Sequence, residues 1–382
     1  MTKKISLIPS KRSDIDKFLV MDVFAKSSSI EKKGKKVYHF ELGEPLKNTP
    51  PRVLNRAKNI LKQKLSGYTP SNGIFELRLA ISKYYLYRHN IKINPDDIFI
   101  TVGSSSAFLL TFLTCFDPGD TVLVFSPCYP AYRNMLKSLN INVVEIPMNN
   151  IFNIKNQKKS IRGIILSSPN NPTGKVINKE ELEFLYDFCE QKKIFLISDE
   201  IYHGIEFYKK SDSILSLGSF GIVINSFSKY FCMPGWRLGW TVVPKNLQNN
   251  FLKLAQNLYI SCGNVAQLAA VEVFKCLDDL ERNVQIYKDN RDIVFKYLDD
   301  SSWNDFTRSE GAFYTFINIS KSKKNSTYLV KKILEETSIA LTPGNDFDKT
   351  NGDKFVRLSF SSETQDIREG MSILRDWINR NY

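Results

Sequence analysis

Histidine is nearly absent from this sequence, with three in 382 residues: His39, His89 and His203. The six cysteines (Cys115, Cys128, Cys189, Cys232, Cys262 and Cys276) form no Cys-x-x-Cys pair and no other metal-like spacing. No zinc or other metal site is therefore expected. Glycine (18) and proline (15) are too few for a fibrous or low-complexity chain. Long apolar runs are missing too. The most apolar stretch, Ala107 to Phe116, carries threonines and falls well short of the roughly 18 residues that cross a bilayer. The basic N-terminus is interrupted by Asp14 and Asp16 and is followed by no apolar segment of the secretory kind. No membrane partner is expected, and the reading is a cytoplasmic protein with reduced, mostly buried thiols.

What is present looks globular. Hydrophobic residues make up 42% and charged residues 24%, an ordinary balance, and the length suits two or three packed domains. The unusual number is a net charge of +13, from 53 basic and 40 acidic residues. Basic pairs recur at Lys32-Lys33, Lys35-Lys36, Lys158-Lys159, Lys192-Lys193 and Lys331-Lys332 without merging into one block. Dispersed charge of this kind is a solvated surface, so no nucleic-acid partner is expected.

From about residue 97, short apolar runs alternate with helical patterns. Ile98 to Val102, Thr121 to Phe125, Ile161 to Ser167, Ile194 to Ser198 and Gly221 to Asn225 read as buried strands. Between them, Lys179 to Gln191 places Leu182, Leu185, Tyr186 and Cys189 on one helical face. This alternation predicts βαβ units and a mostly parallel sheet covered by helices on both sides. After Gly263 the pattern changes to a long helical stretch, about Val265 to Leu298. A β-rich part follows, Ala312 to Ile319 and Lys354 to Phe360. Residues 1–48 show no strand–helix rhythm. The expected organisation is an N-terminal segment (1–48) packed with a small C-terminal α+β domain (286–382), beside a large domain (49–285).

In parallel sheets, ligands gather beyond the carboxyl ends of the strands. The first predicted strand runs into Gly103-Ser104-Ser105-Ser106, small residues whose free N–H groups at a helix start suit a phosphate, although serine is also a common helix cap. Later exits read Ser168-Pro169-Asn170-Asn171-Pro172-Thr173-Gly174, then Asp199-Glu200-Ile201-Tyr202, then Ser226-Phe227-Ser228-Lys229. An acid after a buried strand is usually a cap, and Asn, Pro and Gly are turn formers. A lysine among serines and aromatics at such a place is harder to dismiss, because burial would lower its pKa and make its amine a nucleophile.

Taken together and in this order, these motifs resemble the class I/II pyridoxal-phosphate-dependent aminotransferases of fold type I. The matching stretches are Asn-Pro-Thr-Gly (171–174), Asp-Glu-Ile-Tyr (199–202), Ser-Phe-Ser-Lys (226–229) and Gly-Trp-Arg-Leu-Gly (235–239). The similarity extends from Leu42-Gly43-Glu44-Pro45 through Tyr68-Thr69-Pro70-Ser71-Asn72-Gly73 to Val356-Arg357-Leu358-Ser359-Phe360. It implies an α/β fold with a large domain built on a mostly parallel, seven-stranded-type sheet between helices. A smaller α+β domain built from both termini would accompany it.

The resemblance also implies roles. Pyridoxal 5'-phosphate would be the cofactor, with Lys229 forming its internal aldimine and moving protons, and Asp199 pairing with the pyridine nitrogen. Asn171 and Tyr202 would bond the ring's phenolate oxygen, and Tyr129 would lie on the ring face. Ser104, Ser105, Ser226, Ser228 and Arg237 would hold the phosphate. Tyr68 would reach that phosphate from the neighbouring subunit of a homodimer. Arg357, with Gly43 and Asn171, would take the substrate α-carboxylate.

The implied activity is ping-pong transfer of an amino group from an amino acid to a 2-oxo acid. In a bacterial aspartate-specific subgroup of the family, a lysine stands in the turn near Ser105. Serine here carries no charge for a side-chain carboxylate, so the donor is expected not to be strictly aspartate. Two other readings share the motifs: an α,β-eliminating C–S lyase on the same scaffold, and a regulatory protein that binds the cofactor without turnover.

Overall fold

The structure is a computed structural model and describes residues 7–63, 67–157 and 159–382; Lys158 of the basic pair lies outside them. The chain begins with helix α1 (Leu19–Glu31), strand β1 (Tyr38–His39) and helices α2 (Pro51–Lys62) and α3 (Phe75–His89). An alternating stretch follows with β2 (Ile98–Thr101), α4 (Gly103–Cys115), β3 (Thr121–Ser126), α5 (Ala131–Ser138) and β4 (Asn142–Pro147). It continues through β5 (Gly163–Ser167), α6 (Lys179–Lys192), β6 (Phe195–Asp199), β7 (Ile222–Ser226) and β8 (Gly239–Val242). Helices α7 (Gln248–Leu258), α8 (Asn264–Ala270) and α9 (Leu277–Asp299) lead into β9 (Tyr314–Asn318) and α10 (Ser326–Thr337). Strands β10 (Ile339–Ala340), β11 (Thr342–Pro343) and β12 (Phe355–Ser359) and helix α11 (Thr364–Asn381) complete it.

Strands β2 to β8 form one seven-stranded sheet in the order β2-β8-β7-β6-β5-β3-β4. Only β8 runs against its neighbours. Both faces are buried, as the two-residue period of a covered strand requires. On β3, Val122 and Val124 join the Phe108 and Phe112 side with α4 and α5, while Leu123 and Phe125 face the larger core on the other side. Helix α6 matches its expected face, burying Leu182, Leu185, Tyr186 and Cys189. It starts at a capping box between Asn178 and Glu181 and ends at Lys193 in a left-handed conformation. Such a box satisfies two of the otherwise free first-turn N–H groups.

The C-terminal part is a small antiparallel sheet, β11-β12-β9, and β10 pairs with β1 from the N-terminal segment. Here two expectations need correcting. Residues 1–48 do contain regular structure, α1 and β1. The serine run Ser27-Ser28-Ser29 masks the helix, yet Ser27 is buried and its hydroxyl bonds the carbonyls of Val23 and Phe24 and the Glu41 carboxylate. The stretch 265–298 is not one helix. It breaks after α8 into a tight turn at Val271–Lys275, and α9 restarts beyond Cys276 with Asp278 and Asp279 in its first turn. Acidic residues there complement the positive helix terminus, so the restart has a local cause.

Candidate active site

The carboxyl ends of β3, β5, β6 and β7 open into a cavity of about 690 Å3. Strand register sets its floor: Ser167 on β5 lies beside Asp199 on β6, and Ser226 on β7 lies beside Gly239 on β8. Asp199 is buried, accepting from the Ile201 N–H at 3.1 Å and from the Tyr132 hydroxyl. Burial pushes its carboxyl up to about 6, while those two donors oppose the rise. Its neighbour Glu200 points to the other side of the strand. There it accepts from Ser213 Oγ at 3.0 Å and the Ile214 N–H at 3.1 Å.

At the opposite end lies an anion cradle. Helix α4 starts at Gly103 with no side chain capping its first turn, so Ser104 and Ser105 present free N–H groups to the cavity. Ser226 Oγ donates to Ser228 Oγ at 3.0 Å, and both line the same wall. Arg237, in a left-handed backbone conformation, brings its guanidinium so near Gly103 that a Cβ there would strike it. Gly103 itself has φ of +69°, a second reason for glycine.

Lys229 donates from Nζ to the Gly43 carbonyl at 2.6 Å. Burial, with Arg357 and Arg237 nearby, lowers its amine to about 8. Gly43 is fixed by its surroundings, since a Cβ would run into the Tyr314 hydroxyl. Arg357 sits on β12, buried, with Nη1 on Asn171 Oδ1 at 3.0 Å and Nη2 on Thr342 Oγ1 at 3.2 Å. Its guanidinium lies over the Tyr314 and Phe347 rings at 4.3 and 4.7 Å. Its buried Nε has no hydrogen-bond partner. Tyr202 shares a hydrogen bond with Tyr314 at 2.8 Å between hydroxyls.

The geometry thus assembles in one place all but one of the expected site residues: Gly43, Ser104, Ser105, Tyr129, Asn171, Asp199, Tyr202, Ser226, Ser228, Lys229, Arg237 and Arg357. A family model described as aminotransferase class I and II matches residues 35–374. The chain is a class I/II aminotransferase.

Its relatives agree. The valine–pyruvate aminotransferase of Mycobacterium tuberculosis is 35% identical, covering 99% of this chain and 99% of its own. The (5-formylfuran-3-yl)methyl phosphate transaminase of Methanocaldococcus jannaschii is 34% identical, over 98% of this chain and all of its own. A crystal structure of an aminotransferase from Mycobacterium tuberculosis superposes with a TM-score of 0.95 at 35% identity, covering 98% of this chain and 99% of the other. An aspartate aminotransferase from Thermus thermophilus with maleate gives 0.90 at 26% identity, over 97% and 100%.

The exception is Tyr68, which is 86% exposed and does not line this aminotransferase's cavity. Conversely, sequence reasoning missed Tyr132, Tyr314, Val20 and Met21, which do line it. Tyr132 stands three residues beyond Tyr129, in the first turn of α5, a spacing that carried a usable signal. Val20 and Met21 come from α1, the helix hidden in the N-terminal segment.

Proposed function

We propose that this aminotransferase holds pyridoxal 5'-phosphate in the cavity and moves an amino group from a donor with an uncharged, aliphatic side chain to a 2-oxo acid. The residues present fit that cofactor: an anion cradle at one end, a buried carboxylate at the other and a lysine of lowered pKa between. When bound, the cofactor supplies an electron sink that makes the donor's Cα–H acidic and stores the amino group between half-reactions.

The protein's own groups do the rest. The Ser104 and Ser105 N–H groups, the Ser226 and Ser228 hydroxyls and Arg237 would hold the phosphate. Asp199 would hold the proton on the ring nitrogen, with Tyr132 keeping the carboxylate oriented. Asn171 and Tyr202 would bond the ring oxygen, and Tyr129 would cover the ring face. Lys229 Nζ takes the proton from the donor's Cα, a task suited to an amine with pKa near the working pH. Arg357 forks onto the α-carboxylate, with Gly43 letting the backbone come close. A single such fork admits one carboxylate at a time, so donor and acceptor take turns.

The donor class rests on one observation. Among the described residues lining the cavity, the cations are Lys229, Arg237 and Arg357, each with a partner in this scheme. None remains for a side-chain carboxylate, and Val20, Met21, Leu42 and Ile201 are apolar. The name of the Mycobacterium tuberculosis relative, a valine–pyruvate aminotransferase, points the same way.

A spectroscopic half-reaction screen of all amino acids tests this: aliphatic donors should convert the bound cofactor to its amine form and aspartate should do so slowly. Lys229→Ala serves as the control and should abolish both turnover and the visible absorption of the lysine-bound cofactor. Fastest conversion by aspartate would refute the donor class; product release by elimination would favour a lyase, which the transaminase names of the relatives do not.

The finer organisation belongs to the same proposal. Exposed Tyr68, Leu61, Phe75 and Leu258 suit a homodimer interface that brings the partner subunit's Tyr68 to the phosphate. The six free, buried thiols suit a reducing cytoplasm. The division at residues 48 and 285 would leave α9 as a continuous helix across the second boundary.

A further inference from the structure

Helix α1 begins without a cap of its own. Its N-cap residue is Phe18, which makes no side-chain hydrogen bond to the first turn. Phe18 is engaged elsewhere, stacked on Tyr129 with ring centroids 5.9 Å apart and planes at 24°. The missing cap comes from the other end of the sequence. Asp346 accepts from the Leu19 N–H at 3.3 Å through Oδ1 and from the Val20 N–H at 3.4 Å through Oδ2. A carboxylate there satisfies two otherwise free donors and complements the positive end of the helix.

Asp346 is buried within a turn that ties several parts of the site together. Its carbonyl accepts from Arg133 Nη2 at 2.6 Å. The Phe347 carbonyl accepts from Arg133 Nη1 at 2.9 Å and from the Cys128 N–H, next to Tyr129, at 3.1 Å. The Phe347 ring underlies Arg357. The backbone of this turn is thus anchored to the large sheet's helix α5, and its carboxylate is free to act on α1. Two residues of that capped first turn, Val20 and Met21, line the cavity.

We propose that Asp346 is a positioning residue for donor selection: its carboxylate fixes the first turn of α1, and so holds Val20 and Met21 as the wall against the donor's side chain. This rests on the aliphatic-donor reading above. A fixed wall rewards a branched side chain that fills the space up to it. Alanine, whose methyl group stops short, gains nothing from it.

The test compares kcat and KM for valine and alanine in the cofactor-loaded wild type, Asp346→Ala and Asp346→Asn. In Asp346→Ala, KM for valine should rise about fivefold, the usual effect of losing one helix cap. KM for alanine should change by less than about twofold, on the same scale. The absorption spectrum of the bound cofactor should be unchanged. Asp346→Asn, which keeps one acceptor oxygen, should fall between. Equal losses for both donors would overturn the proposal, because Asp346 would then be acting through Arg357 or through general stability. So would no loss at all. If Asp346→Ala does not fold, Leu19→Pro removes one of the capped N–H groups from the helix side. Proline is tolerated at a first helical position after an extended residue, and Phe18 is extended. That variant should also raise the valine KM selectively, and a uniform or absent effect there refutes the proposal equally. A wild type that turns over neither donor would fail the donor reading instead.

Discussion

Asp199 is ionised at a cost that the rest of the protein carries, and replacing it with asparagine should expose that cost. Its carboxyl is shifted by burial from an ordinary 3.8 to about 6. At about 1.4 kcal/mol per tenfold change in proton affinity, this corresponds to about 3 kcal/mol of destabilisation of the cofactor-free protein at neutral pH. Asn at this position removes the charge and keeps the contacts. Its oxygen accepts from the Ile201 N–H, and its amide donates to the Tyr132 hydroxyl, which can accept as readily as donate. The cofactor-free Asp199→Asn protein should therefore be more stable than the wild type by up to about 3 kcal/mol.

The pH dependence separates charge from packing. Below about pH 4 Asp199 is protonated in both the folded and unfolded chain, so the variant gains nothing. Between about 4 and 6 the unfolded chain has released the proton and the folded chain still holds it. Wild-type stability therefore falls as pH rises, and the advantage of the variant grows across that window to a plateau. Urea unfolding of both proteins from pH 4.5 to 7.5 reads the difference, in which other titrating groups largely cancel. An advantage independent of pH, or a less stable variant at pH 7.5, would refute the reasoning. Added cofactor should stabilise the wild type more than the variant, through binding to the folded state alone. The variant should lose about 100-fold or more in kcat, as groups that meet developing charge generally do when neutralised.

Two further perturbations follow from the cavity. Arg357→Lys loses the planar fork and leaves Asn171 Oδ1 and Thr342 Oγ1 short of a donor, so kcat/KM for every amino donor should fall about 100-fold. Steady-state kinetics with several donors checks this, and a loss confined to one donor would contradict the assignment of Arg357 to the shared α-carboxylate. Ser105→Lys adds a cation where the cavity has none to spare, so the ratio of kcat/KM for aspartate over alanine should rise about tenfold. An unchanged ratio would show that the donor side chain lies elsewhere.

How much of this was legible in the sequence depended on whether a residue's partner was local. Asp199, Asn171, Ser226 and Lys229 stand at or just beyond the ends of buried strands, so an apolar run followed by polar residues already marked them. The edge strand β4 carries Asn142, Glu145 and Pro147 and leaves most of its residues partly exposed, so it offers no apolar run to read. Strand β8 is four residues long and includes Gly239 and Thr241, which hides it in the motif before it. Its antiparallel direction follows from the short return from β7, a pairing no local pattern announces.

Harder still are contacts whose two halves lie far apart in the sequence. Tyr314 meets Tyr202, Arg357 meets Asn171, and Asp346 caps a helix 326 residues earlier. The cap illustrates why such pairs escape. Read locally, a helix beginning Phe18-Leu19 has no start signal, and Asp346 in Gly344-Asn345-Asp346 looks like a turn former. Only the fold shows that the free N–H donors at one place are met by carboxylate acceptors from the other. That match spans the parts of the chain that both termini bring to the cavity. The residues proposed to hold cofactor and α-carboxylate are written next to or within strands and can be read there. Those that shape the space around the donor's side chain depend on long-range docking. Donor preference is therefore the property of this enzyme that motif reading specifies least and that perturbing the 344–347 turn should alter most.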